Sequence, residues 1–276
     1  MSDACPGAGD RPRFADRVVV ITGGASGIGA AAAGLFAEEG ALIAIVDRNE
    51  PARDEAHERI NTYVADVSDE SELEGALTSI ERELGAIDVM HANAAVESTL
   101  GCTATTLEHW TRVMAVNATG TFLACRYALR SMIARGAGGS IVITASTRAF
   151  VTGPDSCSYS ASKGALVALM RGLAMEGAPH DVRVNAVLPG AIRTAMLERE
   201  AAGSTRSSDE QLNRWAKIHP LGRLGEATDV ANAVAFLASD AAAFITGAAL
   251  PVDGGMMAAE PGGPPVMYSE SFGSAA

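Results

Sequence analysis

Lysine is almost missing from this chain: of its 21 basic residues only Lys163 and Lys217 are lysine. Acidic residues number 33 and the net charge is −12, so no basic tract is present to meet a phosphate backbone. That balance excludes nucleic acid as the expected partner. Cysteine is sparse as well. Cys5, Cys102, Cys125 and Cys157 are far apart and show no C-x-x-C spacing, which argues against a zinc or disulfide framework and for reduced thiols. No metal site is expected. Apolar runs stop well short of the roughly 18 residues that a membrane span requires. The opening stretch MSDACPGAGDRPRFADR is polar and has no apolar signal-peptide core, so a cytoplasmic location is expected. There is no internal repeat, and no Pro/Ser-rich linker before residue 250.

What remains is a chain of 276 residues, 48% hydrophobic, able to bury a sizeable core. Short β-branched runs recur at 17–23, 42–47, 87–93, 140–146 and 182–190. Each reads as a strand buried on both faces. Helical stretches lie between them at 28–41, 69–84, about 106–135, 159–178 and 227–238. Strand–helix alternation predicts a doubly wound parallel α/β sheet of the Rossmann type, with about seven strands in one domain over 14–256. Residues 1–13 are expected to be a flexible tail and 257–276 a C-terminal extension. The polar segment 199–212 reads as a mobile loop near a site.

Directly after the first strand comes Thr22-Gly23-Gly24-Ala25-Ser26-Gly27-Ile28-Gly29, opening a helix. Glycines allow a tight turn and close approach to a pyrophosphate, which the helix N-terminus attracts. The spacing G-x-x-x-G-x-G departs from G-x-G-x-x-G, so the turn could also be purely structural. Asp47, 20 residues beyond Gly27 at the end of the second strand, strengthens the nucleotide reading. A carboxylate there accepts hydrogen bonds from ribose hydroxyls and repels a 2′-phosphate, favouring NAD over NADP. Arg48 beside it could accommodate that phosphate, so NADP stays open.

The second informative stretch is CSYSASKGA, 157–165, where Tyr159 and Lys163 stand among small residues. Four residues apart on a helix, they share a face. An ammonium near a phenol favours the phenolate, so the tyrosine pKa is expected to fall from about 10 toward working pH. Such a group can give a proton to, or take one from, an alcohol or carbonyl oxygen. A compact lysine head suits a narrow slot better than the arginine fork. By itself Y-x-x-x-K is an ordinary i,i+4 neighbour pair.

Its company is more specific. Thr22–Gly29, Asn93-Ala94, Asn117, Ser146, Tyr159-x-x-x-Lys163 and Pro189-Gly190 follow in order and register. On these motifs the chain resembles the short-chain dehydrogenase/reductase family from about Arg17 to Gly255. The resemblance implies a catalytic set. Ser146 would bind the substrate oxygen, Tyr159 would act as acid or base, Lys163 would tune it and hold the nicotinamide ribose, and Asn117 would anchor a relay water. It implies NAD contacts from Gly23, Ser26, Gly27, Ile28, Gly29, Asp47 and Arg48 at the glycine loop. Asp66 and Val67 would meet the adenine, Asn93, Ala94 and Ala95 the adenosine side, and Pro189, Ile192 and Thr194 the carboxamide. The implied activity is hydride transfer between NAD(H) and a small secondary alcohol or ketone. A homotetramer is implied as well, with 227–276 at a subunit interface.

Three positions depart from the family pattern. Asn-Asn-Ala-Gly is replaced by Ala92-Asn93-Ala94-Ala95, and Ala145 stands where a second serine is common. His91 reads as a satisfied core histidine and Cys157 as a small residue of the pocket wall. Loops 95–106, 147–156 and 191–220 would set specificity, with Trp110, Phe150, Met196, Leu197 and Trp215 as candidate contacts. Arg148 and Asp155 are further candidates to face substrate, and the tail with Tyr268 and Phe272 could wall a neighbouring site. Alternatives are a silent dinucleotide-binding protein, an NADP-preferring carbonyl reductase, or a relative that performs elimination or epimerisation.

Overall fold

The computed structural model describes residues 12–50, 58–204 and 206–259. The chain runs β1 (Val18–Thr22), α1 (Gly27–Glu38), β2 (Leu42–Asp47), β3 (Ile60–Val64), α2 (Glu70–Leu84) and β4 (Val89–Ala92). Then follow α3 (Leu107–Met114), α4 (Thr121–Arg135), β5 (Gly139–Thr144), α5 (Cys157–Gly177), β6 (Val182–Pro189) and β7 (Ile192–Arg193). It closes with α6 (Ala195–Ala202), α7 (Ser208–Lys217), β8 (Gly225–Glu226), α8 (Ala227–Ala238) and β9 (Ala249–Val252). Seven strands form one parallel sheet in the order β3-β2-β1-β4-β5-β6-β9.

The five central strands are apolar at nearly every position because both faces are covered. In β1, Val18 and Val20 face one core with Leu73, Leu77 and Ile80 of α2 and with apolar residues of α4 and α5. Val19 and Ile21 face the other, packed against Phe36 of α1 and Val230 and Val234 of α8. Each such fully buried branched side chain contributes roughly 1.5–3 kcal/mol of transfer free energy. Phe14 is fully buried and meets the Phe36 ring edge-on at 4.7 Å, so order begins at the very edge of the segment read as a tail. Residues 1–11 and 260–276, including Tyr268 and Phe272, lie outside the described residues.

The strand order reverses at β1, which pairs in parallel with β2 on one side and with β4 on the other. A crevice opens at such a switch point, above the carboxyl ends of the strands. Thr22, Asp47, Ala92, Thr144 and Pro189 are the last residues of their strands, so the sheet itself delivers these five positions to one rim.

The segment read as a mobile loop, 199–212, is largely helical among its described residues. It holds the end of α6 and the start of α7, and Ser207 and Glu210 form a reciprocal capping box at the head of α7. Leu212, Trp215 and Ala216 give α7 an apolar face at helical spacing, and the cap is a second local signal at its head. Among the described residues no helix is long and apolar enough to cross a membrane.

Candidate active site

A cleft of about 430 Å³ lies over the switch point. Gly23, Ser26, Gly27, Ile28, Asp47, Arg48, Asp66 and Val67 line one end of it. Asn93, Ala94, Ala95, Ser146, Tyr159, Lys163, Pro189, Ile192 and Thr194 continue the wall. Thus the structure brings nearly every expected residue to one concave surface. Gly29 and Asn117 are the exceptions, and both sit behind the wall.

The glycine turn is shaped by close backbone approach. Gly23 has φ +66°, and a Cβ there would lie 2.6 Å from the Ala94 Cα. A Cβ on Gly29 would meet the Gly23 carbonyl oxygen at 2.2 Å, so its role is to let the helix start against the turn. Thr22 Oγ1 accepts hydrogen bonds from the amides of Asn93 (3.0 Å) and Ala94 (3.2 Å), and Asn93 Nδ2 donates to the Gly23 carbonyl at 3.0 Å. The Ala92–Ala95 variant of the family turn is therefore locked to the glycine loop. Ser26 caps α1 without a side-chain hydrogen bond, and no acidic residue occupies that helix's first turn. Its N-terminal amides and positive dipole end are left to an external anion.

Asp47 takes the Ala25 amide on one oxygen (3.1 Å) and the Asn49 amide on the other (3.0 Å). Asp66 accepts from the Ser68 amide and hydroxyl, which hold its carboxyl below the usual range.

Lys163 is fully buried, and its Nζ donates to the Thr144 carbonyl at 2.9 Å. The ammonium stands 5.5 Å from the centre of the Tyr159 ring. Burial pushes its pKa down to about 8. The Tyr159 phenol does not fall toward neutrality in this structure. It is raised above its ordinary value, first by desolvation and then by the negative charge of Glu97, with the Ser146 hydroxyl and Arg148 pulling the other way. The expectation of a lowered phenol weighed the lysine charge alone; desolvation, invisible in a spacing, outweighs it.

Asn117 lies in a π-helical turn, Ala115–Gly120, between α3 and α4. Its Oδ1 accepts from the Val96 amide (2.8 Å), and its Nδ2 donates to the Val96 carbonyl (2.9 Å) and to Ser162 Oγ (3.1 Å). It therefore clamps the loop after β4 to the turn that carries Lys163.

Several residues were not foreseen. Glu97 lines the cleft, and its pKa rises to about 8 through desolvation, a hydrogen bond to Glu200 and that residue's charge; Arg148 and Arg199 oppose the rise. His219 is buried, accepts from the Ala191 amide (3.1 Å) and contacts the Trp215 carbonyl (2.7 Å), fixing the loop after β6. Neither has a periodic signature, although a lone carboxyl four residues after Asn93 is a usable hint. Met196 and Leu197 do line the cleft, whereas Trp110, Arg148, Phe150, Asp155 and Trp215 do not. Cys157 is not in the wall either; its thiol meets Cys102. His91 is buried with Nε2 on Thr144 Oγ1 (2.8 Å), but its Nδ1 has no hydrogen-bond partner, and burial pushes it down to about 3.

Comparison with known proteins agrees with this geometry. The family model described as enoyl-(acyl carrier protein) reductase matches residues 23–257. The chain is 39% identical over 253 residues to 2-(S)-hydroxypropyl-CoM dehydrogenase 3 of Xanthobacter autotrophicus, covering 89% of this chain and 98% of that one. It is 40% identical over 252 residues to cis-4-hydroxycyclohexanecarboxylate dehydrogenase of Sinomonas cyclohexanicum, with 89% and 98% coverage. The solved aldohexose dehydrogenase of Thermoplasma acidophilum superposes with a TM-score of 0.85 at 32% identity, over 92% of this chain and all of that one. The chain belongs to the short-chain dehydrogenase/reductase family, oxidoreductases that act on CH–OH groups.

Proposed function

We propose that this protein is an NAD(H)-dependent dehydrogenase that interconverts a secondary alcohol and its ketone, with Tyr159 as the proton donor and acceptor. The observation that carries the reading is the shared cleft: Tyr159, Ser146 and Lys163 line the same wall as the glycine loop and Asp47.

The residues present fit a nicotinamide dinucleotide. The Gly23–Gly29 turn and the uncapped α1 N-terminus suit a pyrophosphate, and Asp47 suits a ribose diol. Arg48 stands in the same wall, but the carboxylate occupies the strand end, so NAD is preferred over NADP. Asp66 and Val67 would face the adenine, Asn93, Ala94 and Ala95 the adenosine side, and Pro189, Ile192 and Thr194 the carboxamide. When bound, the nicotinamide supplies the hydride acceptor or donor.

The chain's own work is proton handling and orientation. Ser146 Oγ, buried beside the phenol, donates to the substrate oxygen and orients it. Tyr159 gives its proton to the carbonyl oxygen in reduction and removes the hydroxyl proton in oxidation. Lys163, held by Thr144, places positive charge against the Tyr159 ring and stabilises the phenolate formed during oxidation. Asn117 acts at one remove: it fixes Val96 and Ser162 and so sets the spacing between the loop after β4 and α5. Excluding bulk water strengthens each of these interactions.

Glu97, Met196, Leu197 and Arg199 give the substrate end of the cleft a mixed polar and apolar wall. That wall suits a ring or branched secondary alcohol carrying one further polar group, and two of the relatives are named for hydroxylated ring compounds or sugars. A homotetramer is consistent with exposed Phe244, Met175 and Phe122. The test is a panel of secondary alcohols and ketones followed by NADH absorbance with NAD and NADP. Turnover with a secondary alcohol supports the reading, and a flat trace across the panel with intact NADH binding favours a silent binder.

A further inference from the structure

Cys102 and Cys157 lie far apart in sequence yet side by side in the fold. Cys157 opens α5, two residues before Tyr159, and Cys102 begins the short helical turn Cys102–Ala104. Three ties hold the two segments together. The Cys157 amide donates to the Leu100 carbonyl at 3.3 Å. Ser158 Oγ donates to Ser98 Oγ at 3.0 Å, and Ser98 is held in turn by His109 Nε2 at 2.8 Å. A methyl placed on Gly101 would stand 3.0 Å from the Pro154 carbonyl oxygen. The Cys157 thiol meets the Cys102 thiol, with Cys102 exposed and Cys157 partly so.

We propose that Cys102 and Cys157 form an intramolecular disulfide when the protein meets a peroxide, stapling the 96–105 segment to the first turn of α5. The reaction balances in two steps. The Cys102 thiolate attacks the peroxide O–O bond, becomes a sulfenic acid, and the second oxygen leaves as water, or as alcohol from an organic peroxide. Cys157 sulfur then attacks the Cys102 sulfur, and the hydroxide leaves as water with the Cys157 proton. Two thiols lose two electrons and the peroxide gains them. Cys102 is the first to react because it is exposed, whereas the neighbouring Cys102 thiol and desolvation raise the Cys157 pKa and keep that thiol protonated. Little movement is needed, since the backbone ties already hold the segments in register. The stapled segment carries Glu97 into the cleft wall, so the bond restrains the substrate side and leaves the glycine loop untouched.

The full-length chain, with its four cysteines, is treated with a slight excess of hydrogen peroxide, alkylated under denaturing conditions and weighed. The expected result is two fewer alkyl groups than the reduced chain takes up, a mass about 2 Da lower before alkylation, and a linked Cys102–Cys157 peptide, all reversed by a dithiol reductant. Cys5→Ser behaves as wild type. In C157S a sulfenic-acid trap labels Cys102, and in C102S Cys157 stays unlabelled. The oxidised wild type melts a few degrees higher than the reduced protein, and C102S shows no such rise. Cys102 oxidised to sulfinic acid without a linked peptide, dimers joined through Cys5, or four unchanged thiols would each overturn the proposal.

Discussion

The Ala25 amide donates to Asp47 Oδ2 at 3.1 Å, and together with the Gly23 amide on the Val46 carbonyl (2.8 Å) it ties the glycine turn to the end of the second strand. With the Asn49 amide on the other oxygen, the carboxylate is fixed in orientation before any ligand arrives. Its remaining acceptor capacity suits a ribose diol, and its charge disfavours a 2′-phosphate. Asp47→Ala therefore moves the NAD:NADP ratio of kcat/KM toward NADP by roughly 10–100-fold, about 1.4–2.7 kcal/mol. A wild type that already prefers NADP would contradict the role given to this carboxylate.

Two glycines of one helix give opposite stability outcomes. Gly34, inside α1, has open space where a Cβ would stand, with nothing within 4 Å, so Gly34→Ala gains roughly 0.5–1 kcal/mol from backbone entropy. Gly29→Ala drives a methyl into the Gly23 carbonyl and loses at least about 2 kcal/mol, together with cofactor affinity. Thermal melts of both variants, with and without NADH, check the pair.

Two groups near the reacting oxygen titrate around pH 8, Lys163 lowered from 10.5 and Glu97 raised from 4.5. Lys163 sheds its proton near pH 8 and with it the positive charge that stabilises the phenolate, so the part of the rate that depends on that charge falls as pH rises through about 8. E97Q keeps that step and Lys163→Ala removes it. A step that vanishes with E97Q and survives Lys163→Ala would assign the titration to the carboxyl instead.

Glu97 also leaves a stability signature of definite sign. Its folded pKa lies above its ordinary one, so the folded state binds the extra proton, and stability falls as pH rises from about 4.5 to about 8. E97Q is thus more stable than wild type at about pH 9, by roughly 1–3 kcal/mol, and that advantage shrinks toward about pH 5. Lys163 runs the opposite way: its burial costs stability fully below pH 8, and the cost fades between about 8 and 10.5. Paired urea titrations at the acidic and alkaline ends of this range separate the two. On a substrate with a second polar group, E97Q raises KM about tenfold with kcat little changed.

The five central strands were legible because each is an unbroken apolar run buried on both faces, and the glycine turn because it follows the first of them directly. The edge strands β3 and β9 were not, since INTYV is half exposed and ALPV contains a proline. Helices α6 and α7 escaped notice because the stretch read as a loop, 199–212, cuts across both, although Thr194 and Ser207 cap them and Leu212, Trp215 and Ala216 share one face of α7. The chemistry was legible where residue spacing along one helix sets geometry, as with Tyr159 and Lys163. It was not where partners meet only in the fold. The Glu97–Glu200 contact, the Thr144 carbonyl under Lys163 and the His219 brace all join elements far apart in sequence. Desolvation, which decides the direction of the Tyr159 shift, is likewise a property of the folded cleft.

The central claim is that Tyr159 moves the proton while the rest of the cleft binds. Wild type and Tyr159→Phe are compared on the best secondary alcohol of the panel, by NADH absorbance and by NADH titration. The account predicts a kcat lower by about 10²–10⁴-fold with NADH affinity within about twofold of wild type. Turnover retained in Tyr159→Phe would contradict it.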